Sequence, residues 1–437
     1  MNLHKGQLII IGVVLFVVLV VVLGIFGVFP LFKKSGPADP NFPTTPVTLE
    51  MWGVGDSSAA FSSAIKAYTA SAKNVKINYT QFSSLDQYEK ALVDALAAKK
   101  GPDIFMIHNT WVSKHLNKMM PAYSALLTSA SVSSLYPAVV SSDFVRDGYV
   151  YALPLNLDAL ALLYNKDIFN ARAIVYPPTT WDEVLSLVRT LRVTDTQGKV
   201  TTAAIALGGA YNIEPIRDIL SVLGLQLGTS FSSPDGSVRL NDTKFSQAVS
   251  FYLQFSDPLK DSYTWNESFS PSREALANGQ VAMTLDYFSA LDAITKKNPF
   301  APIEAVPLPQ LSGAVAGSIA NFVSYMGLAV SKQSSYPYVA WHFASYLTMS
   351  DAVSDTYLQQ TGKLPALKTL INKGIQAGDR KSVFLKSFLT AKTWGQADAT
   401  AIASIFRSMI FNIISGKLDQ GKAIGAAQEQ INQLGAY

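Results

Sequence analysis

The sequence predicts an α/β protein with two lobes, preceded by one N-terminal transmembrane helix. The chain has 437 residues, of which 49% are hydrophobic, and such a length exceeds what one hydrophobic core usually organises. Strand and helix patterns alternate from residue 47 onward, as is typical of α/β domains. A run of apolar residues near the N-terminus is long enough to cross a bilayer.

The composition excludes several functional classes. The chain has no cysteine, which rules out a disulfide scaffold, a cysteine-ligated zinc site, a thiol nucleophile and a lipid-modified N-terminal cysteine. The formal net charge is +4, and no run of Lys or Arg indicates a nucleic-acid surface. The sequence has no G-x-S-x-G elbow, no phosphate-binding P-loop and no H-E-x-x-H zinc motif. We therefore expect no cofactor, no metal and no nucleic-acid partner.

Residues 8–29, LIIIGVVLFVVLVVVLGIFGVF, contain no polar side chain. At about 1.5 Å per residue they span the roughly 30 Å of bilayer hydrocarbon. A cleaved signal peptide is the alternative, but its apolar stretch is normally about 7 to 15 residues and ends in small residues of the A-x-A kind. The sequence that follows, FGVFPLFKKS, offers no such site. We therefore predict that residues 1–34 form an uncleaved membrane anchor, whose orientation the flanking lysines leave open.

Residues 35–46 form a proline-rich linker. Pro37, Pro40, Pro43 and Pro46 recur at intervals of three, the period of a polyproline II helix. At about 3.1 Å per residue, such a segment is a semi-rigid spacer between a membrane and a domain. A disordered linker is the alternative, and in both cases the rest of the chain works outside the membrane.

The predicted elements of the first lobe follow the linker in order. Residues 47–52, VTLEMW, form a strand candidate, and apolar residues at helical spacing follow Asp56. Residues 75–82, VKINYTQF, alternate as a half-buried strand does. Residues 84–101, SLDQYEKALVDALAAKKG, open with capping-box spacing and close with a glycine, which indicates a helix. Residues 102–108, PDIFMIH, form a buried strand.

Ligand sites in such sheets lie at the carboxyl ends of the strands. Asp56 follows the first predicted strand, and Asn109, Thr110 and Trp111 follow the third. These two positions are therefore the first candidates for a binding site.

The second lobe is predicted to begin after residue 156. Residues 177–191, PPTTWDEVLSLVRTL, place Thr180 and Glu183 as a capping box at the start of an amphipathic helix. Further helical patterns follow. Residues 300–330 are rich in Pro, Gly and β-branched residues, which suggests that the chain returns to the first lobe there.

Residues 151–169, YALPLNLDALALLYNKDIF, resemble a core strand interrupted by Asp158. From the residues alone, this aspartate either ends a strand and caps a turn or faces a ligand. Asn156, two residues earlier, is the nearest polar side chain, and the same alternatives apply to it.

Five segments in the same order resemble the extracellular solute-binding proteins of ABC importers, in the sugar-binding family that includes maltose-binding protein. The segments are GPDIFMIH, YALPLNLDALALLYNKDIF with PPTTWDEV, LANGQVAMTL, GKLPAL, and SGKLDQGKAIGAAQEQIN. The resemblance implies the periplasmic-binding-protein fold, in which two α/β lobes close about a hinge on a ligand in the cleft. The implied boundaries are residues 47–156 and 308–357 for lobe 1, and residues 157–307 and 358–437 for lobe 2.

The resemblance also implies site residues. Asp158 aligns with a ligand-contacting acid at the first hinge crossing, and a carboxylate accepts the paired hydrogen bonds that vicinal sugar hydroxyls donate. Asp56 matches an acid after the family's first strand, with a helix cap as the alternative. The stacking candidates, each with a core role as the alternative, are Trp111, Trp265 and Trp394. The other ligand-binding candidates are Asn109, Asn156, Asp286 and Tyr287, of which the last two stand where many members have a Gly-x-Trp.

The predicted function is capture of a mono- or oligosaccharide by a monomeric protein anchored in the cell membrane, with its binding domain on the extracytoplasmic face. The protein would deliver the ligand to an ABC transporter permease that works with a separate ATPase, since the chain lacks a phosphate loop. A sensor or adhesin on the same fold is one alternative. A glycan-acting enzyme with Asp158 and Asp286 as its carboxylate pair is another.

Overall fold

A computed structural model describes residues 42–233, 236–315 and 317–435. The chain divides into a short unit, residues 1–44, and a compact unit, residues 45–437. The predicted anchor and most of the linker therefore lie outside the described residues. Within the described part, no helix combines the length and the apolar character that crossing a bilayer requires.

The compact unit contains fifteen described strands and seventeen described α-helices. The strands are β1 Val47–Val54, β2 Val75–Phe82, β3 Ile104–His108, β4 Met119–Met120, β5 Val145–Arg146, β6 Tyr149–Val150, β7 Leu153–Pro154, β8 Asp158–Asn165, β9 Val193–Thr194, β10 Val200–Ile205, β11 Val281–Tyr287, β12 Ile303–Val306, β13 Asn321–Ser324, β14 Met326–Ser331 and β15 Ala391–Lys392. The helices are α1 Ser58–Ser71, α2 Leu85–Ala97, α3 Val112–His115, α4 Ser129–Leu135, α5 Ala138–Phe144, α6 Lys166–Ala171, α7 Trp181–Leu191, α8 Ile216–Leu227, α9 Thr243–Leu253, α10 Ser272–Ala277, α11 Ala290–Lys297, α12 Pro337–Met349, α13 Asp351–Thr361, α14 Lys368–Ala377, α15 Lys381–Ser387, α16 Ala399–Ile414 and α17 Gln420–Gln433.

The first lobe is built on a sheet of order β2-β1-β3-β14-β4, with β7 paired to β14. Strands β1, β2 and β3 are parallel, and β14 runs antiparallel to β3. Strand β3 is buried along almost its whole length because it lies inside the sheet. The predicted cap of α2 is present, since the Ser84 side chain accepts the backbone N–H of Gln87.

The second lobe is built on a sheet of order β15-β13-β8-β11-β10-β9, with β12 also paired to β8. Strand β8 is central in the sheet and antiparallel to its neighbours, and residues 159–163 are buried on both of its faces, which explains their unbroken apolar run. The capping box at Thr180 and Glu183 is present at the start of α7, as predicted.

The chain crosses between the lobes at three places. The first crossing lies between β7 and β8, and the second lies at Tyr325, the single residue between β13 and β14. The third follows α13, where Leu364 forms a β-bridge with Leu157 of the first crossing. The three crossings therefore lie together and form the hinge.

Residues 308–324 correct the predicted boundary of lobe 1. Strand β13 pairs with the start of β8, with Val323 opposite Ala159 and Ser324 opposite Asp158, so it belongs to the second sheet. The apolar run from Phe322 to Val330 is two strands on different sheets. Sequence periodicity does not reveal this break, because both strands are buried and the pairing partners are distant along the chain.

Candidate ligand-binding site

A cavity of about 320 Å³ lies against the hinge. Each crossing contributes to its wall, through Asn156 and Asp158 from the first, Ser324 from the second and Lys363 from the third. The other polar residues of the lining are His108 at the carboxyl end of β3, Ser289 and Asp292 at the start of α11, Tyr325 and Thr361. The cavity thus brings polar groups from both lobes to the place where the fold bends.

Asp158 is half-buried at the start of β8. Its Oδ1 accepts the backbone N–H groups of Ala159 and Phe288, each at 2.9 Å, and its Oδ2 accepts that of Ser289 at 3.1 Å. Burial raises its pKa from 3.8 to about 6, and the hydrogen bonds from Ser289, Phe288 and Ala159 oppose that rise. Asp158 therefore stabilises the turn before α11, and a carboxylate has capacity for a further donor from the cavity.

Asn156 is 7% exposed and lines the cavity. Its Oδ1 has no hydrogen-bond partner among the described residues. Buried polar side chains usually find a partner, so an exception calls for an explanation.

His108 was not among the predicted site residues. Its Nδ1 lies 2.8 Å from Thr110 Oγ1, and its Nε2 lies 2.9 Å from Ser324 Oγ across the lobe boundary. Burial lowers its pKa to about 3, with a further decrease from the Arg217 guanidinium, so the ring is neutral near pH 7. The signal that could have found it is its place at a strand's carboxyl end.

Asp56 is buried beside the cavity rather than in its wall. Its Oδ1 is 2.6 Å from Lys363 Nζ, and its Oδ2 accepts the Tyr357 hydroxyl at 2.7 Å. Lys363 itself lines the cavity. Asp56 therefore positions the charged Lys363 side chain in the cavity wall.

Asn109 and Trp111 follow β3 as predicted, but neither lines the cavity. The Asn109 amide donates to Asp143 Oδ2 at 3.0 Å and accepts the backbone N–H of Tyr325 at 3.2 Å. Trp111 is buried between the rings of His108 and His115. Asn109 therefore stabilises the hinge through Tyr325, and Trp111 packs against His108 at the end of β3.

Trp265, Asp286 and Tyr287 lie in the interior of the second lobe. Trp265 is 0% exposed, donates its Nε1–H to Asn212 Oδ1 at 2.9 Å, and stacks on a phenylalanine. Asp286 is also 0% exposed and forms a bidentate ion pair with Arg273 at 2.6 and 2.8 Å. The Tyr287 hydroxyl donates to Asp218 at 2.8 Å. Each of these polar groups has a protein partner.

Trp394 lines a second cavity between the lobes, of about 480 Å³. Its Nε1–H donates to Ser221 Oγ at 2.9 Å, and its ring stacks on Phe231 at 4.9 Å. The Tyr325 hydroxyl, in the wall of the hinge cavity, donates at 2.7 Å to Asp143, in the wall of the second cavity. This hydrogen-bonded pair lies between the two cavities.

Lys114 joins the lobes at another point. Its Nζ lies 2.9 Å from Glu89 Oε1 of the first lobe and 2.8 Å from Asp398 Oδ2 of the second. The other oxygen of Asp398 caps α16 through the backbone N–H of Ala401. The lobes are therefore in contact outside the hinge.

The raised pKa of Asp158 predicts a pH-dependent stability. Because the folded pKa of about 6 exceeds the ordinary 3.8, the folded protein keeps a proton that the unfolded chain has lost. This stabilisation, at most about 3 kcal/mol, is complete below about pH 4 and is lost as the pH rises through about 6. We expect urea unfolding to show that the free energy of unfolding falls more between about pH 4 and pH 7 for wild type than for Asp158→Asn. An equal fall in the two proteins would argue against a raised pKa of the Asp158 carboxyl group.

Comparisons with known proteins agree with this architecture. Residues 53–353 match the model of the family described as bacterial extracellular solute-binding protein. A probable ABC transporter-binding protein of Deinococcus radiodurans is 22% identical over 342 residues, which cover 76% of this chain and 80% of the relative.

Solved structures share the fold at low sequence identity. The sugar-binding protein MalE of Xanthomonas citri has a TM-score of 0.73 and 17% identity, over 89% of this chain and 97% of that one. A cyclo/maltodextrin-binding protein complexed with maltotetraose has a TM-score of 0.72 and 17% identity, over 92% and 98% of the two chains. The predicted two-lobed α/β fold is thereby confirmed. With more than half of its length matched by the family model, the chain belongs to the bacterial extracellular solute-binding protein family.

Proposed function

We propose that this protein binds a carbohydrate in the interlobe cleft without altering it and passes it to an ABC transporter permease. The observation that carries the proposal is the hinge cavity, whose wall combines a carboxylate, an amide lacking a partner among the described residues, and hydroxyl groups from both lobes. A sugar offers a dense set of hydroxyl donors and acceptors that such a wall can satisfy. Closure about the hinge would bury the ligand between the lobes.

Similar proteins support the carbohydrate class. The structurally similar proteins include complexes with maltotetraose, with mannotriose and with α-D-tagatose. The similar Deinococcus protein is described as a probable ABC transporter-binding protein, which supports delivery to a permease with its own ATPase.

The enzyme alternative has less support. Glycoside hydrolysis needs two carboxyl groups that both reach the substrate. Asp286, the proposed second carboxyl group, is fully buried and bound by Arg273. Asp286 therefore does not supply the second carboxyl group that the predicted Asp158–Asp286 pair requires.

Calorimetry tests the function directly. The panel contains maltotetraose, mannotriose, tagatose and common monosaccharides, with peptides and polyamines for comparison, and chromatography checks each saccharide afterwards. We expect binding of at least one saccharide and recovery of that saccharide intact. Cleavage would refute the binding-protein function, and binding of peptides or polyamines alone would refute the sugar class. A deletion strain that still imports the bound sugar would favour a sensor or adhesin.

The proposal includes a membrane-anchored monomer with its lobes on the extracytoplasmic side. Residues 8–29 supply the span and residues 35–46 the spacer, as the apolar run and the proline period indicate. We propose the lobe boundaries predicted from the sequence, except that the second crossing lies at Tyr325 instead of at residue 308.

We predict that residues 1–34 remain attached in the mature protein. The apolar run exceeds that of a signal peptide and lacks a processing site. Mass spectrometry of protein extracted from native membranes should therefore detect peptides from residues 1–34. A truncated form that begins at residue 35 is the control and should appear in the soluble fraction. A native N-terminus after residue 29 would contradict the anchor.

A further inference from the structure

Asn156 differs in its hydrogen bonding from three other polar residues of the hinge cavity. Asp158 holds three backbone N–H groups, His108 lies between two hydroxyls, and Lys363 pairs with Asp56. The Asn156 amide oxygen is buried with no partner among the described residues. An unmet buried amide oxygen destabilises the protein that carries it, so its presence in a cavity wall points to a partner that comes from outside.

Asn156 also stands in register with Asp158. Leu157, between them, forms a β-bridge with Leu364, so the backbone is extended there. Side chains two residues apart on extended backbone point to the same side, and both Asn156 and Asp158 line the cavity. One ligand can therefore contact the carboxylate and the amide together.

The two groups have different chemistry. An ionised carboxylate only accepts hydrogen bonds, whereas an amide both accepts and donates, and rotation of its terminal group exchanges the oxygen and the nitrogen. A ring with neighbouring free hydroxyls could donate one hydrogen to Asp158 and exchange a hydrogen bond with Asn156 through the next hydroxyl.

We propose that Asn156 determines specificity in the hinge cavity by selecting a saccharide unit with a free hydroxyl next to the one that Asp158 binds. The inference rests on the proposed carbohydrate function. A ligand without the second hydroxyl leaves the buried amide unmet, and sites of this kind reject such analogues far more strongly than apolar pockets do. The ligand class is thus a sugar with free vicinal hydroxyls at the bound ring.

Asn156→Leu separates this role from a structural one. The variant removes an unmet polar atom at similar volume, so its melting temperature should equal or exceed that of wild type. Its Kd for whichever of maltotetraose, mannotriose or tagatose binds wild type should rise about ten- to one-hundred-fold. Its preference for that sugar over the monodeoxy analogues should shrink. Asn156→Ala serves the same comparison if Asn156→Leu does not fold.

Thr284→Val is the matched control. The Thr284 hydroxyl is also buried without a partner among the described residues, but it lies in β11 and does not line the cavity. Its replacement should leave the Kd and the deoxy-sugar selectivity unchanged. Wild-type protein that binds no saccharide would refute the proposed function itself. Wild-type binding together with an Asn156→Leu variant of unchanged Kd and selectivity would overturn only the role of Asn156.

Discussion

Replacing Arg273 with methionine is expected to lower the free energy of unfolding by about 3 to 5 kcal/mol, the usual cost of breaking a buried ion pair. Asp286 is fully buried, and Arg273 supplies two of its hydrogen bonds, at 2.6 and 2.8 Å. Without the guanidinium, the carboxyl group keeps only the backbone N–H of Tyr287 at 2.8 Å. The loss should fall toward the lower value, because the Arg273 side chain is 36% exposed and water partly screens the pair.

The double variant Arg273→Met with Asp286→Leu is the control. Replacing both partners of a buried ion pair by apolar residues is often neutral, so urea unfolding should recover much of the loss. Ligand affinity should stay at the wild-type value in both variants, since neither residue lines the hinge cavity. An Arg273→Met variant as stable as wild type would contradict the stabilising role of the ion pair. Weaker binding at full stability would make Asp286 a candidate ligand contact again.

Local patterns predicted the elements that local interactions determine. The capping box at Thr180 and the alternating strand at residues 75–82 depend on neighbours within a few positions. The break at Tyr325 depends on which distant strands pair, with β13 on β8 and β14 on β3. Such pairing leaves no signal in a continuous apolar run, so the second crossing was placed too early.

The site residues likewise depend on long-range contacts that the sequence pattern does not reveal. Trp265 has polar neighbours in the sequence, but it is fully buried together with Thr264, and its N–H donates to Asn212 in the core. Asp286 is indistinguishable in sequence from a ligand-binding acid until its pairing with Arg273 is seen. His108, the last residue of β3, also lies at a strand's carboxyl end, where such sites are expected, but only the residues after it were predicted from the sequence. Asp158 and Asn156, which line the cavity, stood out because they interrupt an apolar run, and only the family resemblance implied that this run lies at a crossing.

Replacing Asp158 with alanine should change both affinity and stability. A charge-assisted pair of hydrogen bonds to a sugar contributes roughly 1.5 to 3 kcal/mol per bond, so affinity should fall on the order of ten- to several-hundred-fold. The carboxylate accepts the backbone N–H groups of Ala159, Phe288 and Ser289, and leaving buried donors unmet costs about 1 to 3 kcal/mol.

The two effects of Asp158→Ala can be separated because they respond to different controls. Trp341→Phe changes a fully buried side chain whose Nε1–H donates to the Met120 carbonyl at 3.1 Å, so it should lower the melting temperature and leave the Kd unchanged. Titrations are run well below the melting temperature of each variant, where all are folded, so that a lost fraction of folded protein does not appear as weaker binding. If Asp158→Ala then behaves like Trp341→Phe, the carboxylate only caps the turn before α11. If its Kd rises while Trp341→Phe keeps the wild-type value, Asp158 contacts the ligand as well as the backbone.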